Sequence, residues 1–388
     1  MSGRVPTVAV IYHFFAYYRE PIIERLARSK VARFVFIADD HDYEHDLKGG
    51  EFSSAVELRP APTRRLRRSF MWQRGIIGAA AGREFDQLIM LANPYWLATW
   101  MAAIIARLRG KRVLFWSHGF LKPPIGLKGF LRNEFLKLAH AHLFYGDRAK
   151  IHAVAAGWDP RRVHVVRNSL HLDAQTRARE SVTAVAIDAL KRQLFKDPSR
   201  PVVYCTCRLL PGKRLDLLLD AVAALASEGL RVNTIIVGDG PCKPDLMKTA
   251  HDAGLDVHFE GACYDEARIA LLTSAADLTV CPGFVGLTAI HSMVFGVPVI
   301  SNDRSYETAP EVEAIDPGVT GDLFRSGDVA DLTRVMRAWL AGSHDRAATR
   351  RACIAMVEQG WSPAYQQAII EMAVRGEPAH VPDSLPPA

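Results

Sequence analysis

The chain has 388 residues, of which 49% are hydrophobic and 23% charged, and its formal net charge is +6. This length exceeds one ordinary hydrophobic core and favours two domains, while the composition is typical of a globular protein and excludes a disordered or fibrous chain. The first residues lack the pattern of a signal peptide, and no apolar run reaches the roughly 18 residues of a membrane-spanning helix. The longest apolar candidate, residues 96–105, is interpreted as a buried helix. We therefore expect a protein that is soluble or peripheral to a membrane.

Short apolar, β-branched segments alternate with amphipathic segments along the first half of the chain. Strands are predicted at residues 7–12, 34–38, 87–91, 112–117 and 142–145, and helices at 20–28, 96–107 and 132–139. Such alternation predicts an α/β domain with a parallel sheet that is covered by helices on both faces. The first strand runs into His13, Phe14 and Phe15 instead of a glycine-rich turn, so the dinucleotide-binding fingerprint is absent.

A second series of elements follows the polar, charge-rich segment 173–200. Its predicted strands are residues 202–206, 232–237, 257–259, 278–281 and 298–301, and its predicted helices are 215–226, 265–274, 288–295 and 329–340. We expect a first domain at 1–170, a linker region at 171–200, a second domain at 201–345, and C-terminal helices with a tail at 346–388. Gly360 and Pro363 are expected to break those last helices.

Two loops of the second domain carry residues suited to phosphate chemistry. Arg208 and Lys213 follow a strand and precede a helix, where two cations and free N–H groups could hold a pyrophosphate leaving group. Further on, Gly283 and Gly286 would let a ligand approach the loop 282–287, and His291 lies about one turn into the next helix. A solvated basic turn and a core histidine are the alternative interpretations of these residues.

Residues 202–328 resemble the donor domain of retaining family-four glycosyltransferases, which have the GT-B fold of two Rossmann-like domains facing a cleft. The resemblance is carried by Arg208-Leu209 with Gly212-Lys213, Val237-Gly238-Asp239-Gly240-Pro241, Phe259-x-Gly261, Ala276-Asp277, Gly286-Leu287, Gly296-x-Pro298-Val299-Ile300, Gly318-x-x-Gly321 and Gly327-Asp328. The first half matches less extensively, through Trp116-Ser117-His118-Gly119, Tyr145-Gly146 and Val166-x-Asn168-Ser169.

The resemblance implies transfer of a sugar, with retention, from a nucleoside diphosphate sugar to a hydroxyl acceptor, in surface polysaccharide or glycoconjugate assembly and without a metal or other cofactor. It implies catalytic roles for Arg208, Lys213 and His118, the last of which matches a histidine near the donor sugar. The nucleotide-sugar contacts that it implies are Gly283, Gly286, Leu287, Thr288, His291 and Tyr264. Tyr12 and His13, at the end of the first strand, are candidate acceptor contacts.

The loop 282–293 departs from the usual family pattern. The family carries two glutamates eight positions apart, where this chain has Gly283 and His291. The loop instead resembles a subset with the pattern Pro-Gly-x-Val-Gly-Leu…His. Two alternatives to a transferase therefore stay open, namely a non-catalytic sugar-nucleotide-binding subunit and a sugar-nucleotide epimerase of the GT-B type.

Basic residues cluster in two segments of the first half without the aromatic interleaving of nucleic-acid-binding proteins, so a nucleic acid is not expected as a partner. One cluster contains Arg64, Arg65, Arg67 and Arg68, and the other, within residues 120–138, contains Lys122, Lys128, Arg132 and Lys137 among apolar side chains. The second segment is interpreted either as an ordinary domain helix or as a surface that lies on an anionic bilayer and presents a lipid-linked acceptor. The expected location is cytoplasmic, with peripheral attachment to the inner face of the membrane as the second possibility.

Overall fold

The computed structural model describes residues 4–41, 48–67, 69–120, 126–304, 308–342 and 344–380. The chain forms two compact units, one of Met1–Leu170 with Pro363–Ala388 and one of His171–Ser362. Arg68 and Lys122 of the two basic clusters, and the tail beyond residue 380, lie outside the described residues. No helix among the described residues is both long and apolar enough to cross a membrane.

The first unit is built on a parallel sheet. Its strands are β1 (Thr7–Phe14), β2 (Arg33–Asp39), β3 (Leu58–Pro60), β4 (Thr63–Arg67), β5 (Phe70–Gln73), β6 (Gln87–Leu91), β7 (Arg112–Ser117), β8 (Ala141–Phe144) and β9 (Val163–Val165), and its helices include α1 (Glu20–Ala27), α2 (Ile76–Ala81), α3 (Leu97–Leu108), α4 (Gly126–Leu136) and α5 (Asp147–Ala155). Seven strands pair in the order β3-β2-β1-β6-β7-β8-β9, and β4 and β5 form a separate antiparallel hairpin. The hairpin carries Arg64, Arg65 and Arg67.

Strand β1 shows why this sheet is covered on both faces. Val8 and Val10 belong to one buried core, whereas Ala9 and Ile11 belong to another. Because successive side chains of a strand point to opposite faces, these two cores lie on the two sides of the sheet. The continuous apolar run in the sequence is the expected consequence.

The second unit has the same architecture. Its strands are β10 (Val202–Thr206), β11 (Asn233–Val237), β12 (Asp256–Gly261), β13 (Leu278–Cys281), β14 (Val299–Asn302) and β15 (Gly321–Phe324), and its helices are α6 (Leu172–Ser181), α7 (Ala184–Leu194), α8 (Leu215–Ser227), α9 (Lys243–Asp252), α10 (Glu266–Ser274), α11 (Thr288–Val294), α12 (Val329–Ala341) and α13 (Arg346–Gly360). The six strands are parallel, in the order β12-β11-β10-β13-β14-β15. The order reverses between β10 and β13, so the loops that follow these strands lie side by side, where α/β proteins generally bind ligands.

The segment expected to be a linker is helical and belongs to the second unit. Thr183 caps α7 by accepting a hydrogen bond from Ala186 N at 3.2 Å. Leu190 of α7 is buried in a core that also contains Tyr204 and Leu272. Burial of this apolar stripe explains why the polar segment folds as helices instead of remaining an open connection.

The boundary near the C-terminus also differs from the expected one. The last helix, α14 (Pro363–Arg375), packs with the first unit, although it follows the whole of the second unit in sequence. Ile370 and Val374 are buried in the same core as Val10, and Gln366 accepts a hydrogen bond from Ser169 Oγ at 2.7 Å. The apolar face of α14 therefore completes the first core.

Helix α3 contradicts the interpretation of residues 96–105 as a buried helix. Ala98, Ala102 and Ala106 are fully buried, but Met101, Ile104 and Leu108 are exposed. Small residues face the sheet, and the larger apolar side chains form a stripe on the surface.

Candidate functional site

Backbone hydrogen bonds connect the loop after β10 to the loop after β13. Gly283 N donates to Lys213 O at 3.1 Å, and Phe284 N donates to Gly212 O at 3.1 Å. Thr288 Oγ1 adds a hydrogen bond to Thr206 O at 2.9 Å. The two segments that sequence analysis singled out therefore form one structural assembly at the topological switch point of the sheet.

Gly283 is required by this junction. A Cβ at this position would lie 2.2 Å from Gly212 O and 2.7 Å from Lys213 C, both of which are backbone atoms. We expected the missing side chain to make room for a ligand, but the backbone of Gly212 and Lys213 fills that space. A glutamate at this position, as in the usual family pattern, would force the two loops apart.

Lys213 and Arg208 differ in how they are held. Lys213 Nζ donates to Phe284 O at 2.8 Å and lies 4.9 Å from the centroid of the Phe284 ring. Arg208 is exposed and forms no ion pair with any described residue. Neither cation is neutralised by a described carboxylate, so both remain available to an anion.

The start of α11 offers further donors. The N–H groups of Gly286, Leu287 and Thr288 form no backbone hydrogen bond with the residues that the structure describes, whereas those of Gly283 and Phe284 are used in the loop junction. A Cβ at Gly286 would touch only the Phe284 ring, at 3.7 Å. Among the described residues, this part of the loop is therefore open and its backbone donors have no partner.

A third loop, after β11, packs directly onto the first. Leu209 N donates to Asp239 O at 2.9 Å, and Gly238 and Gly240 have φ angles of 131° and 157°. A Cβ at Gly238 would lie 1.9 Å from Cys207 O. The Gly-Asp-Gly motif thus supports the loop that carries Arg208, which explains its place in the motif series.

His291 is partly buried on α11. Its Nδ1 is buried and forms no hydrogen bond with any described residue, and its ring centroid lies 5.1 Å from that of Phe295. Burial lowers the pKa of His291 to about 4, so the imidazole is neutral at pH 7. A neutral imidazole with an unused ring nitrogen can hydrogen-bond a hydroxyl group.

Tyr264 lies just beyond a strand that borders the third loop, because Gly261 O of β12 accepts a hydrogen bond from Gly238 N at 2.7 Å. It follows β12, the edge strand, which is separated from β13 by β11 and β10. Its side chain is 88% exposed. Tyr264 stays a predicted contact.

The first unit contains its own cluster at the carboxyl ends of β1, β7 and β8. The His118 ring lies 4.7 Å from the Tyr145 ring, and the Tyr12 and Tyr145 hydroxyls are 3.1 Å apart. Partial burial of the imidazole, together with the positive charges of Arg19 and Arg132, lowers the pKa of His118 to about 4. His118 is therefore neutral at pH 7, and its side chain is accessible to solvent.

Arg19 is the member of this cluster that sequence analysis missed. Its side chain is only 8% exposed, and its Nη2 donates to Tyr12 Oη at 3.0 Å and to Tyr145 Oη at 2.5 Å. The sequence Tyr-Tyr-Arg-Glu before α1 has the appearance of an ordinary solvated helix start. Only the pairing of β1 with its neighbours shows that this arginine is buried.

Comparison with known families gives a match in the second unit. Residues 186–355 match the family model of glycosyl transferases group 1. The matched range runs from α7 into α13 and includes all three loops described above.

Two curated relatives match part of the chain. A GDP-mannose-dependent alpha-(1-6)-phosphatidylinositol dimannoside mannosyltransferase of Mycobacterium tuberculosis (strain ATCC 25177 / H37Ra) is 30% identical over 164 residues, which cover 42% of each protein. A D-inositol 3-phosphate glycosyltransferase of Mycobacterium sp. (strain JLS) is 30% identical over 202 residues, which cover 50% of this chain and 43% of that protein. The matches thus span less than half the length of these relatives.

Solved structures share the fold over nearly the whole chain. Alr3699/HepE of Anabaena in complex with UDP superposes with a TM-score of 0.70 at 17% identity, covering 95% of this chain and 100% of that one. A glycosyltransferase from Rickettsia africae ESF-5 gives a TM-score of 0.71 at 13% identity, covering 96% and 99%. The predicted fold of two Rossmann-like α/β domains with parallel sheets is thereby confirmed.

Proposed function

We propose that the protein is a glycosyltransferase that moves a sugar from a nucleoside diphosphate sugar to a hydroxyl acceptor with retention of configuration. The observation that carries this proposal is the assembly of the three loops 207–214, 238–241 and 282–287 at the switch point of the second sheet. The assembly holds two cations without carboxylate partners beside free backbone donors. The match to glycosyl transferases group 1 covers the same residues.

Departure of the nucleoside diphosphate is the demanding step of such a reaction. Negative charge develops on the leaving pyrophosphate, and fixed positive groups stabilise it in the transition state. Lys213 is pre-positioned by Phe284 O, and Arg208 can reach the ligand from the same loop. With same-face attack, the departing phosphate oxygen takes the proton of the acceptor hydroxyl, so no enzyme nucleophile and no metal are needed.

The double variant Arg208→Ala with Lys213→Ala tests this assignment. Hydrogen bonds to charged groups contribute about 1.5–3 kcal/mol each, so donor turnover should fall by far more than tenfold, which corresponds to about 1.4 kcal/mol. A matched control is Arg231→Ala with Lys248→Ala, which removes two exposed cations of the same unit. Donor turnover within about tenfold of wild type in the first variant would refute the proposed roles.

The relatives' names suggest the class of acceptor. One relative is named for a phosphatidylinositol dimannoside and another for D-inositol 3-phosphate. Both names contain a polyol that carries a phosphate, free or in a lipid. We propose that the acceptor of this chain is likewise a phosphorylated polyol or its lipid, in glycolipid or surface-glycan assembly.

Attachment to an anionic membrane surface is a further part of the proposal. On α4, Leu127, Phe130 and Leu131 are exposed, while Phe135 is buried. Lys128 stands among the exposed apolar residues, and the arginines of the β4–β5 hairpin are exposed in the same unit. An exposed apolar face with basic neighbours is suited to the interface of an anionic bilayer, at the cytoplasmic side of the membrane.

Liposome flotation tests this attachment. We expect binding to vesicles with anionic lipid, weaker binding at high salt, and loss of binding in Phe130→Ser with Lys128→Glu. Arg132 is left unchanged because its guanidinium donates to Gly119 O, so replacing it would disturb the fold. Absence of binding to anionic vesicles at low salt would favour a soluble acceptor.

A further inference from the structure

The first unit contains a buried positive charge without a described counter-charge. Arg19 is 8% exposed, and its Nη2 donates to the phenol oxygens of Tyr12 and Tyr145. Its Cζ lies 4.5 Å from the ring centroid of Tyr12, 5.3 Å from that of Trp116, and 5.7 Å from those of Tyr18 and Tyr145. Within the described chain, Arg19 forms no ion pair and no hydrogen bond with a carboxylate. Both hydrogen bonds leave from Nη2, so Nε and Nη1 donate to no described residue.

Trp116 lies against this guanidinium, and His118 packs on the ring of its partner Tyr145. Trp116 is 3% exposed, and its indole Nε1 is buried without a hydrogen-bond partner among the described residues. Arg132 donates to the carbonyl oxygen of Gly119 and also lacks a described carboxylate partner. His118, whose side chain is exposed, lies within electrostatic reach of both arginines.

This arrangement is unfavourable without an anion. A buried charge is normally paired, and a buried donor such as an indole N–H is normally hydrogen-bonded, because removal of either group from water without a partner is unfavourable. Aromatic rings and two phenols attract the guanidinium but do not neutralise it. An anion hydrogen-bonded to Nε and Nη1 of Arg19 would neutralise this charge.

We propose that the cluster of Arg19, Trp116, His118 and Arg132 binds the phosphate group of the acceptor. The inference rests on the proposed function for the identity of the ligand, but the binding itself does not require glycosyl transfer. The planar fork of an arginine forms two parallel hydrogen bonds with a phosphate, which fixes both position and orientation. The site would therefore select acceptors that carry a phosphate and would place their hydroxyl group.

The experiment follows the indole N–H resonances of the full chain by NMR during titration with inorganic phosphate. The Trp116 resonance is assigned from Trp116→Phe. We expect a saturable shift with a Kd on the order of 1 mM, and at least about tenfold weaker binding in Arg19→Gln. Arg19→Lys, which keeps the charge, should retain more binding than Arg19→Gln. Arg109→Gln, at an exposed arginine of the same unit, should bind as wild type does.

Two further arms separate the possible sources of the phosphate. A shift with glycerol 3-phosphate indicates a soluble phosphorylated acceptor, whereas a shift only with a short-chain phosphatidylglycerol indicates a lipid headgroup; glycerol is the uncharged comparison. The shift should persist in Arg208→Ala with Lys213→Ala, because those cations belong to the other unit. No shift of Trp116 with any phosphate compound, or an equal shift in folded Arg19→Gln, would overturn the proposal. A shift in a protein without transferase activity would refute the proposed function alone.

Discussion

Replacement of Gly283 by alanine tests whether the junction of the two loops matters for activity. The added Cβ would meet Gly212 O at 2.2 Å and Lys213 Cα at 2.9 Å. Backbone atoms cannot move aside as a flexible side chain can, so the loops must separate. Separation removes the hydrogen bonds Gly283 N–Lys213 O and Phe284 N–Gly212 O and withdraws Phe284 O from Lys213 Nζ.

The size of the effect follows from these contacts. Each backbone hydrogen bond contributes about 0.5–1.5 kcal/mol, so loss of two amounts to about 1–3 kcal/mol. If that free energy is lost from the transition state, kcat/KM for the donor falls by about fivefold to 150-fold. Lys213 would no longer be held, so the loss should appear in donor turnover more than in stability.

The assay measures kcat/KM for the sugar nucleotide together with the thermal unfolding midpoint. Gly286→Ala is the matched control in the same loop, because its Cβ would make only an ordinary contact of 3.7 Å with the Phe284 ring. Gly286→Ala should retain activity within about threefold, which is below the contribution of one hydrogen bond to a charged group. Equal kcat/KM in Gly283→Ala and wild type would refute the idea that the loop junction organises the donor site.

Two other predictions concern histidines. His291→Ala should weaken nucleotide binding by about 1–2 kcal/mol in calorimetry, the scale of one lost hydrogen bond, whereas unchanged affinity with a lower unfolding temperature would identify His291 as a core residue. His142 is 2% exposed, and burial lowers its pKa from 6.5 to about 3, so it stays neutral in the folded state while the unfolded chain takes up a proton below pH 6.5. Its contribution to stability is therefore complete above pH 6.5 and is lost as the pH falls towards 3, at up to about 1.4 kcal/mol per pH unit. His142→Phe should reduce this slope by about one proton in urea titrations between pH 6.5 and 4. An unaltered slope in His142→Phe would show that the folded state accommodates the protonated ring.

The sheets were predictable from sequence because their strands are buried on both faces. The predicted strand at 202–206 coincides with β10, and the predicted strands at 87–91 and 112–117 coincide with β6 and β7. Continuous apolar runs of this kind are determined locally by β-branched composition. The loops 207–214 and 282–287 were also recognisable, because glycines and cations follow strand ends at family-like spacing.

Features that depend on tertiary contacts could not be predicted. The polarity of residues 171–200 indicated a linker, since only one face of α7 is apolar and several of its partners, among them Ile235 and Leu272, lie far along the chain. The hairpin β4–β5 was not predicted, because a sequence with four closely spaced arginines (Arg64, Arg65, Arg67 and Arg68) resembles a solvated basic segment. Arg19 was missed for a similar reason, because its aromatic neighbours Trp116 and Tyr145 come from other strands.

The departure at Gly283 acquires a structural explanation that the sequence does not contain. From the motif alone, a missing glutamate suggested a lost sugar contact. In the structure, the absent side chain permits a direct backbone junction with Gly212 and Lys213. Gly283→Glu would therefore not restore the usual family contact but would separate the loops.

We propose that this protein transfers a sugar from a nucleoside diphosphate sugar to an acceptor. The most direct measurement is release of nucleoside diphosphate from UDP-, GDP- and dTDP-sugars, each with and without a panel of phosphorylated polyols and their lipids. We expect release from one donor class that depends on an acceptor and is lost in Arg208→Ala with Lys213→Ala. Acceptor-independent release of nucleotide would indicate an epimerase. Binding of sugar nucleotides without turnover under all these conditions would contradict the account and identify the protein as a non-catalytic sugar-nucleotide-binding subunit.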